Sequence, residues 1–328
     1  MKTKHSLALI GASILIALGI YYYPNPNTSI TQSQSVGKSP MNYPEFHCAL
    51  EKDHSPVITP EADKYYQEAR RLEKTRGWED WPAIVNNYEK AIELNHWKAM
   101  NNLAILYGKG GYGKADYDNG NVEKRNPTGV KPDRAKQLAI YAKMVELDIP
   151  IGYYNWSLAI RKGYIPNTQK GDATAYMFRA AELGSPQAQI YLGNYFAFGL
   201  PTYEQRDDIA DQYFRCAGRQ DNIEALLQVS RFYKIAKDNY PLGAFYLQRA
   251  ASLGSKEAAR VLIDIFNKDT EKFGYQPDPK LEAFYSDLYN QLRANSELTF
   301  PNLLKDHPLP RHPTQGYNAD NPEVRPDY

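Results

Sequence analysis

The 328-residue chain predicts an all-α fold, a solenoid of about six helix pairs, and three observations carry the prediction. A cassette of small, bulky, small and aromatic residues recurs five times between Lys98 and Asn267. Second amphipathic stretches end alike on Asn, Asp or Gly, and three helix starts place a capping oxygen before a proline. A period in the thirties marks stacked helix hairpins, none of which can cover its apolar face without a neighbour.

The first helices set the register. Ala99, Leu103, Ala104 and Tyr107 occupy the same slots as Ala188, Leu192, Gly193 and Phe196. Ala225, Val229, Ser230 and Tyr233 form a third copy, Ala258, Leu262, Ile263 and Phe266 a fourth, and Gly152, Trp156, Ser157 and Ile160 a degenerate fifth. From Leu103 through Trp156, Leu192 and Val229 to Leu262 the steps are 53, 36, 37 and 33 residues. The long first step contains a Gly-, Asn- and Lys-rich stretch from Gly108 to Lys131, which reads as a loop insertion.

The second helices end at Leu94-Asn95, Leu147-Asp148, Leu183-Gly184 and Leu253-Gly254, each with a residue that can turn left-handed and stop a helix. Thr59-Pro60, Ser185-Pro186 and Asp278-Pro279 mark helix starts, proline being at home in the first turn.

Two resemblances rest on these and neighbouring residues. The stretch through Tyr176, Ala180, Ala181, Glu182 and Gly184, then Ala188, Leu192, Gly193, Phe196 and Gly199, resembles the Sel-1-like repeat, a relative of the tetratricopeptide repeat. The flanks, Phe46 to His54, Thr59 to Asp63 and Phe300 to Pro310, resemble an exported bacterial family of Sel-1-like proteins with a proline-rich C-terminal segment. Together they cover roughly residues 45 to 313. The resemblance implies a right-handed α-α superhelix. It also implies a role held by some such proteins, that of immunity protein against a phospholipase effector of type VI secretion, with a cell-envelope adaptor as the alternative.

Organisation follows from composition. Lys2, Lys4 and His5 precede an uncharged, mostly apolar run from Ser6 to Tyr23, so residues 1–23 read as a signal or inner-membrane anchor that sends the rest into the periplasm. Residues 24–44 are a Pro-, Asn- and Ser-rich linker, residues 45–296 the solenoid, and residues 297–328 an extended Pro-rich tail on which His307 and His312 sit. Cys48 and Cys216 are the two cysteines. They either form a disulfide in an oxidising compartment or leave Cys216 as a small buried residue of a second helix.

The chemistry is sparse. Gly108 to Ala115 comes within one residue of a phosphate-binding loop, but Ala115 cannot ligate magnesium and a helix, not a strand, precedes it. The six histidines form no metal-ligand pair on a helix, and no nucleophile stands with a recognisable base. With 39 basic against 38 acidic residues, no nucleic-acid footprint is present. The chain therefore reads as a non-catalytic protein-binding scaffold without cofactor or metal. On tetratricopeptide geometry the wall of first helices carries Lys98, Asn101, Tyr154, Arg161, Gln187, Asn194, Glu224, Arg231, Lys234, Arg260 and Asp264. Such a mixed polar wall suits a protein partner recognised by hydrogen bonds and ion pairs.

Overall fold

The computed structural model describes residues 45–76, 80–111, 129–166, 171–201, 204–267 and 272–315. The predicted anchor and linker, residues 1–44, lie outside them, as do Gly113 to Ala115 of the near phosphate loop and residues 316–328 of the tail. The regular elements among the described residues are all helices, with no strand.

The helices run in order as α1 (Pro60–Arg76), α2 (Trp81–Glu93), α3 (Trp97–Lys109), α4 (Arg134–Glu146), α5 (Pro150–Arg161) and α6 (Asp172–Glu182). They continue as α7 (Pro186–Asn194), α8 (Asp207–Gly218), α9 (Ile223–Ile235), α10 (Tyr240–Ser252), α11 (Lys256–Phe266) and α12 (Pro279–Ala294). Each helix packs chiefly on the one before and the one after it, as a solenoid requires. The first helices α5, α7 and α9 also touch in succession, more closely than the second helices do, which sets them on the inner side of the curve.

The punctuation follows the sequence. Asn95, Asp148, Gly184 and Gly254 have φ of 57°, 52°, 91° and 99°. The amide one residue on, at His96, Ile149, Ser185 and Ser255, donates back to Ala91, Met144, Ala180 and Ala250 at 3.0, 2.9, 2.9 and 3.0 Å. This six-to-one bond satisfies carbonyls that the helix end would otherwise leave bare. Thr59, Ser185 and Asp278 each accept from backbone N–H groups in the first turn, as their place before proline predicts. His96 adds a cap of less common chemistry: its Nδ1 accepts the Ala99 N–H at 3.1 Å while Nε2 lies 3.3 Å from Asp63.

The anchor residues form the core. All twenty are buried except Trp156 and Ile263, which are half-buried. Tyr88, Tyr233, Tyr246 and Tyr285 are wholly enclosed, and ring pairs such as Tyr233–Tyr246 at 5.7 Å and Phe266–Tyr285 at 5.9 Å join neighbouring helices. Much of the chain's tyrosine content is thus spent on packing.

Two flanking segments cross this array. The leading strap, residues 45–55, is bonded by Cys48 to Cys216 of α8, their Cα atoms 5.5 Å apart. Phe46 lies 4.1 Å from the Tyr213 ring, Gln189 Nε2 donates to the Ala49 carbonyl at 2.9 Å, and the Glu51 N–H donates to Gln220 Oε1 at 2.9 Å. A one-turn helix, Glu51–His54, rests on α5. At the other end the Phe300 N–H donates to the Ser252 carbonyl, and a short helix, Leu303–Asp306, packs on α10 with Leu303 and Leu309 buried. Lys74 of α1 pairs with Glu297 of this segment, so the two ends of the array meet.

The tail corrects one expectation. His312 does not decorate an extended segment: it is 2% exposed, with Nε2 2.8 Å from the Phe273 carbonyl and Nδ1 accepting the Gln315 N–H at 3.1 Å. Both ring nitrogens find backbone partners, which makes a buried imidazole tolerable. His307 stays exposed but stacks on Phe284 at 3.8 Å.

Candidate functional site

Side chains of α3, α5, α7 and α9 meet in a run of polar and aromatic contacts. Asn155 on α5 donates to Asn101 on α3 at 2.8 Å, bridging the first two helices. The Arg161 guanidinium stands 5.0 Å from the centre of the Tyr191 ring on α7 and reaches Thr174 at 3.4 Å. Tyr154 lies close to Glu224 and Tyr191; burial first, then those two neighbours, raises its hydroxyl above the ordinary phenol value. Tyr154, Arg161 and Glu224 are thus brought together around Tyr191 from three helices, while Asn101 joins through Asn155. Sequence reasoning missed Asn155 and Tyr191, which complete the group.

The other predicted residues are more dispersed. Lys98 is exposed beside Trp97, 5.3 Å from its ring, at the end of α3 that faces the strap. Gln187 accepts a 3.3 Å hydrogen bond from the Ser185 hydroxyl. Asn194 and Asp264 are half-buried, and Arg231 and Arg260 are exposed. Lys234 is turned onto Phe273, 4.6 Å above its ring, because the turn at Lys272–Gly274 covers the end of α9.

Beyond the last of these polar residues the surface becomes apolar. Asn194 opens a π-turn, Tyr195–Gly199, and the residues exposed at these helix ends are Tyr195, Phe198 and Ile235, at 38%, 51% and 57%. Phe198 and Ile235 occupy the slot that Lys109 and Lys162 fill in other copies. That contrast was the available signal in the sequence.

Chemical groups stand mainly in structural settings. Among the described residues no group of three His, Cys, Asp or Glu side chains is placed to hold a metal. The stretch before the near phosphate loop is helix α3, without the strand that such a loop follows. A cavity of about 420 Å³ between α2, α3 and α4 is lined by Trp81, Glu89, Tyr107 and Lys136, with the Tyr107 hydroxyl donating to Glu89 at 3.4 Å. Among the described residues Glu51 stands out, its carboxyl pushed up by burial to about 7 against the opposing pull of Lys98.

No protein-family model and no curated protein sequence matches the chain. Solved structures do. Immunity protein Pa5087 from Pseudomonas aeruginosa is 38% identical, with 87% of this chain and 100% of that one covered at a TM-score of 0.66. Immunity protein PA5088 from the same organism is 37% identical, with 87% and 100% covered at 0.65. Pseudomonas aeruginosa 5086 (PA5086) is 38% identical, with 84% and 99% covered at 0.66. The chain belongs to the family of these immunity proteins. An immunity protein acts by binding, so the family accounts for a chain whose sequence offers a shaped surface and no catalytic constellation.

Proposed function

We propose that the chain neutralises a phospholipase effector of type VI secretion in the periplasm by covering it with the wall of first helices. The observation that carries this reading is the 38% identity to immunity protein Pa5087 along its whole length. The preordered group of Tyr154, Arg161, Tyr191 and Glu224 supports it, because side chains already held in place lose little freedom on binding.

In this reading a right-handed superhelix of about six hairpins presents Lys98, Asn101, Tyr154, Arg161, Gln187, Asn194, Glu224, Arg231, Lys234, Arg260 and Asp264 to one protein partner. A contact of standard size, about 1,600 Å² in total, suffices to block an active site. Residues 6–23 hold the protein at the inner membrane or are removed on export. No described helix is long and apolar enough to cross a membrane, and residues 6–23 lie outside the described ones. The relatives favour immunity over the envelope-adaptor alternative.

The test is co-expression with each phospholipase of the source strain, directed to the periplasm. Survival with the full chain and death without it are expected for one of them. Equal death for every phospholipase, with the protein present and folded, would refute the reading.

A further inference from the structure

The immunity reading leaves open what kind of surface the wall accepts. Its charge is unlike that of the rest of the chain. Of the wall residues above, Lys98, Arg161, Arg231, Lys234 and Arg260 are basic and Glu224 and Asp264 acidic, whereas the chain as a whole holds 39 basic and 38 acidic residues.

The pairing differs as well. On the second helices, Arg179 is matched by Glu182 at 3.8 Å, Arg215 by Asp211 at 2.6 Å and Arg249 by Asp221 at 3.0 Å. Among the described residues no carboxylate lies within 4.0 Å of the cationic groups of Arg161, Arg231 or Arg260. A merely solvated helix face tends to intersperse opposite charges three or four residues apart. Arg161 and Arg231 have no carboxylate three or four residues away, whereas Arg260 has Glu257 and Asp264 at that spacing, and Arg161 is held ready by its stack on Tyr191.

An apolar ledge adjoins these cations. Ile235 lies four residues after Arg231 on α9, one helical turn along the same face. Tyr195 and Phe198 belong to the π-turn that ends α7. In the next two copies the residue just before the anchor aromatic is enclosed, Phe232 at 1% and Ile265 at 0%, while Tyr195 in that slot is 38% exposed. The widened turn is what brings it out, and such turns are rare and concentrate at functional positions.

We propose that the partner docks an acidic protein face onto Arg161 and Arg231 and seats an apolar side chain on the ledge of Tyr195, Phe198 and Ile235. This rests on the immunity reading for the identity of the partner, but not for the chemistry of the surface. Unmatched cations steer an acidic face and fix its register, and the ledge, once dried, slows its departure.

The probes are the phospholipase that co-expression identifies, an array of peptides tiling every phospholipase of the source strain, and phosphatidylglycerol vesicles. Binding of the full chain is measured at low and moderate salt. Arg161→Glu and Arg231→Glu are each expected to weaken binding by about tenfold or more, mainly through slower association, and to flatten the salt dependence. Phe198→Asp with Ile235→Asp is expected to speed dissociation by about thirtyfold or more. Arg179→Glu, on a second helix, should change neither, and the melting temperature of each variant reports that it is folded. Array peptides that bind should carry an excess of Asp and Glu around a large apolar residue.

Neutralisation that survives all four wall substitutions with unchanged affinity would overturn the proposal and leave the immunity reading standing. Capture by vesicles in preference to acidic peptides would assign the wall to a membrane and overturn it equally. If no phospholipase is neutralised but acidic peptides bind through Arg161 and Arg231, the surface assignment stands and the immunity reading falls. If neither occurs, both fall.

Discussion

Gly184 offers the sharpest perturbation of this fold, because its absent side chain is where the leading strap passes. Its φ of 91° already disfavours any other residue, at a cost of about 1–2 kcal/mol. A Cβ there would also lie 2.4 Å from the Leu50 carbonyl carbon and 2.6 Å from the Glu51 amide nitrogen, closer than real contacts allow. The strap cannot simply lift, since the Cys48–Cys216 bond holds it three residues away from Glu51. Overpacking of this kind adds about 1–3 kcal/mol, so Gly184→Ala should cost about 2–5 kcal/mol in urea unfolding. Removing the bond with Cys48→Ala and Cys216→Ala opens a closure of 168 residues, worth about 5 kcal/mol in chain entropy. In that background the strap is free to rise, and Gly184→Ala should cost only the backbone term of about 1–2 kcal/mol. The double-mutant cycle therefore yields a coupling of about 1–3 kcal/mol. Equal cost in both backgrounds would show that the strap does not press on Gly184, and the described path of residues 45–55 would be wrong.

Three further outcomes follow from single residues. Burial raises the Glu51 carboxyl to about 7, so the folded state favours its protonated form. That contribution is complete below the unfolded value near 4.5 and is lost as pH rises through about 7; Glu51→Gln should therefore gain on wild type between those values by at most about 3 kcal/mol, and parallel urea midpoints would refute it. Burial holds His96 below the ordinary imidazole value, against the pull of Asp63, and its unprotonated Nδ1 caps α3. Its contribution is present above the unfolded value near 6.5 and lost as pH falls through the lower folded one, so His96→Asn, which keeps a capping oxygen, should remove part of the acid-side loss of melting temperature; an unchanged slope would contradict the cap. Leu192, 2% exposed in the fullest repeat, should cost several kcal/mol when changed to Asp, and an unaltered melting temperature would mean that the repeat register is mistaken.

The repeat register was legible because each anchor slot repeats a burial requirement, and a requirement repeated five times outweighs local noise. Helix stops were legible for the same reason, and they held more than was read from them. The stops at Asn95 and Asp148 keep exposed side chains, whereas Gly184 and Gly254 are glycine where another segment crosses: Leu50 at the first, and the Leu298 carbonyl, 2.6 Å from a Cβ, at the second. Glycine in place of Asn or Asp at an equivalent stop is thus a mark of a crossing chain. The crossing segments themselves have no period, so pattern reading returned only a flank and a tail. Sequence spacing carries no distance between Cys48 and Cys216, so the sequence leaves both the bonded and the free form open. His312 departs from its sequence context: the prolines around it suggest an extended, solvated run, whereas the imidazole is one of few side chains able to satisfy the Phe273 carbonyl and the Gln315 amide at once. On the wall, polar slots could be assigned by register alone. Tyr191 stands where other copies have Asn102, Asn155 and Gln228, and Phe198 and Ile235 of the ledge stand where others have Lys109 and Lys162.

The strap and the tail also bear on how a solenoid can hold a partner firmly. An array in which each hairpin touches only its neighbours bends easily, because small rotations add along it, and a bending wall loses freedom when it binds. Here a disulfide and the Gln189–Ala49 and Gln220–Glu51 hydrogen bonds join α7 and α8 to a segment that rests on α5. These are the helices that carry Arg161, Tyr191 and the π-turn. At the far end the tail ties Phe300 to Ser252 and His307 to Gln248, which also donates to Tyr285 of α12, while Lys74 and Glu297 bring the two ends into contact. Curvature that a bare repeat would leave soft is set by bonds between residues far apart in sequence. Because the covalent member of that set persists only where thiols are oxidised, a chain kept in a reducing compartment should present a looser wall, which fits action in the periplasm. The same dependence means that reductant should weaken binding to an acidic face more than it lowers the helix content, since the strap orders the wall without forming its helices.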